Sequence, residues 1–236
     1  MSKQELIEKN PLRILSSKAQ ATGACQRMGL VMARAGVGKT AILVQIALNS
    51  ILHGSQVVHV SIGQSLDKTK AWYDDIFKDI VTGLQLEKAS ETREEMMRHR
   101  MIMTFNASTF SPPKLEERLN DLLYQNIFQP ACLIIDGFDF TRADRQVLHD
   151  LRELMNTMNL DIWFSATTHR DDDRVSAEGV PAPCHEVGDL FDTVILIQPV
   201  AEKESALLNI IKDTTGCAEK GKTLNLDTST LMIKEG

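Results

Sequence analysis

The chain has 236 residues, 43% of them hydrophobic, and carries 26 Lys and Arg against 32 Asp and Glu, a net charge of −6. This supplies apolar material for one sizeable core, read as one domain over residues 21–236 behind a short N-terminal lead, residues 1–20. The negative balance disfavours a nucleic-acid partner, aromatic residues at 5% leave little for base stacking, and the absence of a long apolar run or signal-like start predicts a cytoplasmic protein away from the membrane.

From Met28 onward, apolar strand-like runs alternate with helical patterns, the signature of an α/β fold with a doubly wound, mainly parallel sheet. Strands are expected at Met28–Ala33, Gln56–Ile62, Met101–Phe105, Ala131–Asp136, Asp161–Ala166 and Thr193–Ile197. Residues 40–53 are apolar almost all round and stop at Gly54, which predicts a buried helix with a glycine C-cap. Ser111 and Pro112 read as an N-cap and first-turn proline, with Leu115, Leu119, Leu122 and Leu123 following on one face. Val147, Leu148, Leu151, Leu154, Met155 and Met158 form a second stripe of helical period, and core packing explains it.

Residues 169–189, "HRDDDRVSAEGVPAPCHEVGD", read as the main loop. The segments "SALLNIIKDTTG" and "KTLNLDTSTLMIKE" read as two or three antiparallel strands extending one edge of the sheet. The cysteines, Cys25, Cys132, Cys184 and Cys217, lack zinc-like spacing. Cys132 is expected as a buried small hydrophobe, the others as free thiols, and no structural metal is expected. The lead is too short for a domain and is expected as a flexible start or as an arm for a neighbouring subunit.

Chemistry concentrates where the first strand meets the first helix. Ala33-Arg34-Ala35-Gly36-Val37-Gly38-Lys39-Thr40 fits a P-loop, with Ala33 standing where the strict pattern has glycine. In such a loop small residues free successive backbone N–H groups to wrap phosphates, and the helix N-terminus adds its dipole. Residues Ala33, Arg34, Ala35, Gly36, Val37, Gly38, Lys39, Thr40 and Ala41 are therefore the expected nucleotide-binding set. Lys39 is expected on the β and γ phosphates of ATP, and the Thr40 hydroxyl on Mg2+. "CLIIDG", Cys132 to Gly137, is an apolar strand ending in an acid, the form of a Walker B segment, which makes Asp136 the second candidate for the metal.

The segment "MGLVMARAGVGKTAILVQIALNSILHGSQVVHVSIGQSLD", with "CLIIDG", "FSATTH", "LFDTVILIQ" and the closing strands, resembles the motor core of the RecA superfamily. The nearest likeness is to DnaB-type replicative helicases, with KaiC-like and RadA-like ATPases close in size. The resemblance spans about residues 25–233 and implies a "FSATTH" strand between the P-loop and Walker B strands. It also implies a homo-oligomer, commonly a hexameric ring.

Departures from that family bear on activity. The glutamate that polarises the attacking water would close a Ser-aliphatic-Glu segment, which here reads Ser61-Ile62-Gly63-Gln64. Gln64 can orient a water but is a poor proton acceptor. The family's trans-acting Lys-x-Arg finger reads Lys212-Asp213-Thr214, so Lys212 is either its remnant or an ordinary strand-end lysine. The polar group sensing the γ-phosphate falls among Ser165, Thr167 and Thr168, and Asp139 is the nearby carboxylate that either replaces the base or caps a solvated loop. Arg34 either meets a phosphate or a neighbour, or faces solvent. The loop that would touch DNA contains Arg170-Asp171-Asp172-Asp173-Arg174, whose carboxylates oppose a phosphate backbone. A helicase's N-terminal helical domain is not expected.

Three readings follow: an ATP-binding protein with weak or partner-dependent hydrolysis that uses nucleotide to set conformation or assembly, an active motor working with single-stranded nucleic acid or an unknown protein partner, and a non-catalytic scaffold of the same fold.

Overall fold

The computed structural model describes residues 3–15, 26–142, 144–200, 205–218 and 220–234. Its strands are β1 Met28–Ala33, β2 Gln56–Ile62, β3 Arg100–Phe105, β4 Pro130–Asp136, β5 Asp161–Thr167, β6 Thr193–Pro199, β7 Ser205–Asp213, β8 Thr223–Asp227 and β9 Ile233–Lys234. The helices are α1 Lys3–Lys9, α2 Lys39–Leu52, α3 Leu66–Leu84, α4 Ala89–Arg98, α5 Pro112–Tyr124 and α6 Arg145–Met158, with short 3-10 turns at Pro11–Leu15 and Gly188–Leu190.

The strands form one sheet in the order β3-β2-β4-β5-β1-β6-β7-β8-β9. Pairing is parallel from β3 through β6 and antiparallel from β6 through β9, the expected parallel sheet with an antiparallel edge. Both faces are covered, which is why the central strands are apolar throughout rather than alternating. Val31, Val57, Ile134 and Trp163 face the cluster that includes α2 and α3. Met32, Val58, Leu133 and Phe164 face the cluster that includes α5 and α6.

Helix α2 is buried from Ala41 through Leu48 and again at Ile51 and Leu52, because three layers close on it. The sheet lies beneath it, the curled edge of β7 to β9 covers one flank, and Leu6, Leu12, Ile14 and Leu15 of the lead cover another. The described part of the lead therefore belongs to its own subunit's core, neither a flexible start nor an arm; residues 16–20 lie outside the described residues. Gln45, the one polar residue in the middle of α2, is satisfied from the far side. Its Nε2 donates to the Leu231 carbonyl at 2.7 Å and its Oε1 accepts from the Ile233 N–H at 3.2 Å.

Helices α3 and α4 connect β2 to β3. Ser65 caps α3, its hydroxyl accepting from the Lys68 N–H at 3.3 Å. Tyr73, Ile76, Phe77 and Ile80 then recur at helical spacing and are all buried.

The acidic loop is held in place along its second half. Val180, Ala182 and Cys184 are buried, the Ala182 N–H donates to the Arg174 carbonyl at 2.9 Å, and the Ser176 N–H donates to the Val180 carbonyl at 2.9 Å. Cys132 and Cys184 are buried free thiols. Cys217 takes part in a disulfide, which corrects its reading as a free thiol; Cys25 lies outside the described residues.

Candidate functional site

Strands β1, β4 and β5 end side by side, and their carboxyl ends bring the P-loop, Asp136 and Ser165 together. Open parallel sheets place ligands at this end of the strands. The loop leaves β1 at Ala33 and enters α2 at Lys39. Gly36 and Gly38 have φ of +79° and +93°, a left-handed conformation that glycine adopts without strain. At Gly38 a side chain would also meet Leu231, whose Cδ2 lies 2.9 Å from the position of a Cβ. Arg34, Ala35 and Gly36 are exposed, Val37, Gly38, Lys39 and Thr40 half-buried, and Ala41 is buried at the first turn of α2. The Arg34 side chain has no hydrogen bond or ion pair among the described residues.

Lys39 folds back over its own loop, with Nζ 3.4 Å from the Ala33 carbonyl and 3.2 Å from the Arg34 carbonyl. Burial pushes its ammonium pKa down, and the negative charge of Asp136 pulls the other way. Thr40 donates from Oγ1 to one carboxylate oxygen of Asp136 at 2.8 Å, and Ser165 donates from Oγ to the other at 2.5 Å. Both oxygens of a buried acid are thus held by hydroxyls. Of the three hydroxyls considered for the sensor position, Ser165 is bound to Asp136, while Thr167 pairs with Ala33 in the sheet and the Thr168 N–H donates to the Ala33 carbonyl.

Two glycines shape the neighbouring strand ends. Gly137 follows Asp136 at φ +88°, and a Cβ there would lie 2.4 Å from the Ile62 carbonyl oxygen, so the end of β2 presses directly on the end of β4. Gly63 follows β2 at φ +73°, its N–H donating to the Phe105 carbonyl at 2.9 Å, and the place of its absent side chain faces open space. Gln64 is half-buried beside it.

Asp139 lies at the surface, for a reason legible in "GFDF". Phe138 and Phe140 both pack on Phe164, with ring centroids 5.5 and 5.9 Å away, and the residue between them is exposed. Its carboxylate accepts from the Thr141 N–H at 3.0 Å and from the Thr141 hydroxyl at 2.6 Å, with Arg142 3.7 Å away. The Thr141 hydroxyl is the leading cause that holds the Asp139 carboxyl below its ordinary range.

Lys212 is also directed inward. It is only 4% exposed, and its Nζ donates to the Gly188 carbonyl at 2.9 Å and pairs with Glu178 at 2.5 Å. Its charge is paired here with the loop of its own subunit.

Behind Asp136 lies a buried polar row that sequence reasoning missed. Ser61, opposite Asp136 in the sheet register, accepts from the Thr69 hydroxyl at 3.0 Å. Two residues earlier, the His59 Nδ1 lies 3.1 Å from the Tyr73 hydroxyl, and the Arg100 guanidinium stacks 4.4 Å above the Tyr73 ring. Burial is the main cause that lowers the His59 pKa to about 4, with Asp136 opposing and Arg100 reinforcing it. A polar residue at alternate positions of an otherwise apolar strand, His59 and Ser61, was the available signal.

The donor set fits a hard cation and a polyphosphate. A hydroxyl and a carboxylate supply oxygen ligands, and a glycine-bearing loop with a lysine precedes a helix N-terminus. No helix among the described residues is long and apolar enough to cross a membrane. A search of curated proteins found no match. A family model described as an AAA domain matches residues 24–172, more than half of the chain, and takes in β1 through β5 with the P-loop, Asp136 and Ser165. With that span and this geometry, the chain belongs to the AAA-domain family of P-loop NTPases.

Proposed function

We propose that the protein binds Mg·ATP, hydrolyses it slowly or only with a partner, and uses the bound nucleotide to set its conformation or assembly. The observation that carries this reading is the pairing of a complete set of binding residues, Lys39, Thr40 and Asp136, with an open position at Gly63. Bound Mg2+ would neutralise phosphate charge and polarise the terminal phosphoryl group. The backbone of Ala33 to Ala41 would wrap the phosphates, and Lys39 would turn from its own carbonyls toward them. Thr40 and Asp136 would hold the metal, with Ser165 fixing the Asp136 carboxylate. None of these groups is a base beside the attacking water. Gln64 can orient that water, and Asp139, tied to Thr141, is poorly placed to take its proton.

The finer kinship with the RecA superfamily belongs to the same proposal. Its support is the strand order, with β5 between the P-loop and Walker B strands, and the antiparallel strands beyond β6. A cytoplasmic homo-oligomer, such as a hexameric ring, is part of that reading, as is an unidentified protein partner. A motor on single-stranded nucleic acid is less well supported, because Asp171, Asp172 and Asp173 stand in the loop that would meet the phosphate backbone.

The test is steady-state phosphate release from Mg·ATP by the purified chain beside Lys39→Ala, with nucleotide binding measured on the same samples. Binding that is lost in Lys39→Ala, with slow turnover, is expected. Rapid turnover without a partner would overturn the claim of weak hydrolysis, and a folded protein that binds no nucleotide would restore the scaffold reading.

A further inference from the structure

At the opposite pole of the sheet from the P-loop, a cavity of about 550 Å³ is walled by the chain leaving α2, the end of α4 and the turn after α5. Two of its lining residues are His53 and His99. His53 is the C-cap of α2, with Nδ1 2.7 Å from the Asn49 carbonyl. His99 is the C-cap of α4, with Nδ1 2.9 Å from the Glu95 carbonyl.

A carbonyl oxygen can only accept, so Nδ1 carries a proton in each ring, and in the neutral form Nε2 carries the lone pair. Neither Nε2 has a partner among the described residues. A histidine whose Nδ1–H is anchored on a carbonyl is oriented as metal-ligating histidines are. Both residues line this one cavity, and the backbone links their segments, since the His99 carbonyl accepts from the Val57 N–H at 2.8 Å, four residues after His53.

The rest of the cavity wall is chemically selective. It contains no Lys, Arg, Asp or Glu, so no fixed cation opposes an incoming one and no carboxylate offers the ligand that a hard ion prefers. The amide oxygens of Gln56 and Asn126 are already taken, by the Gln129 N–H at 2.5 Å and the Gln129 side-chain amide at 2.9 Å. The C-terminal ends of α2, α4 and α5 meet here, and their partial negative charge favours a cation.

We propose that His53 and His99 form a binding site for one divalent transition-metal ion of the class that prefers imidazole nitrogen, with water completing its shell. The ion ties the far end of the P-loop helix to α4 and to the start of β3. This site is independent of the nucleotide reading, and it takes the softer ions that Thr40 and Asp136 do not favour.

The test uses the untagged full chain in excess Mg2+, which occupies hard oxygen sites, titrated with nickel chloride by calorimetry and followed by thermal unfolding. One nickel per chain and a raised midpoint are expected. His53→Gln and His99→Gln should each weaken binding by about tenfold or more, and the double variant should lose the nickel-dependent rise in midpoint. His169→Gln, exposed and remote from the cavity, should bind as the parent does. Absence of nickel binding, or binding that the double variant retains, would overturn the proposal whatever the outcome of the nucleotide experiments.

Discussion

Gly63 and Gly137 end adjacent strands with similar positive φ, yet their surroundings separate them. A Cβ at Gly137 would collide with the Ile62 carbonyl oxygen, which lies on fixed backbone. Gly137→Ala should therefore lose about 2 kcal/mol or more of stability, combining left-handed strain with a displaced strand end, as chemical denaturation would measure. At Gly63 there is room, so Gly63→Glu should fold with only the conformational penalty of about 1–2 kcal/mol. If the missing side chain is the base, that variant should raise phosphate release by about 10²-fold, and an unchanged rate would show that the base belongs elsewhere. The sequence made the glycine at position 63 visible, but not its surroundings. Whether a side chain there has space depends on how closely β2 and β3 approach, and that is a tertiary property.

At the scale of elements, the strands were legible because burial on both faces leaves continuous apolar runs, and β1 and β2 lie as expected. The ends of β3 and β4 each begin one residue earlier than the apolar run implies, at Arg100 and Pro130, since polar or proline starts carry no hydrophobic signal. Helices α3 and α4 went unread because their charged residues outweigh a narrow apolar stripe, although Ser65 and the spacing of Tyr73, Ile76, Phe77 and Ile80 were present. The two polar ties from β2 to α3, Ser61 with Thr69 and His59 with Tyr73, required partners distant enough that no motif exposes them. The second tie has a pH consequence. An unfolded histidine protonates near pH 6.5, whereas His59 in the fold resists protonation until about pH 4. Between those values the unfolded state binds more protons, so the stability contributed is fully present above pH 6.5 and falls as the pH falls. The span amounts to about 3 kcal/mol. Asp161 acts in the opposite direction, since burial raises its carboxyl pKa to about 6, and stability falls as the pH rises toward that value. The difference in unfolding free energy between the parent and His59→Gln isolates the histidine, and it should shrink by up to about 3 kcal/mol between pH 7 and pH 4. A difference that is flat across that range would show that His59 takes up its proton in the fold as readily as it does in the unfolded chain.

Over the whole molecule, the P-loop helix is enclosed by segments from both ends of the described chain, the lead at Leu6 to Leu15 and the strand pair closing at Ile233. Sequence patterns identified the helix as buried but not what buries it, because the lead is short and β9 has only two residues, Ile233 and Lys234. The same limit applies to the acidic loop. Its composition reads as solvated, while part of its fixation, beside its buried residues and backbone hydrogen bonds, comes from Lys212, more than thirty positions from Glu178 and buried under it. That ion pair, with its lysine buried and its glutamate at the surface, gives the loop a property its composition conceals. Arg170 and Arg174 are exposed and chemically suited to trypsin, but a protease must draw several residues of backbone into an extended conformation before it can cut. The Arg174 carbonyl is held by Ala182, and Val175 and Pro181 form a bridge just beyond it. Cleavage after Arg174 should therefore be slow in the parent and become fast in Lys212→Met, which keeps the apolar stem and removes the charge that anchors the loop. Mass spectrometry of a brief digest would read this directly, and a parent chain cut there at once would show that the ion pair does not restrain the loop.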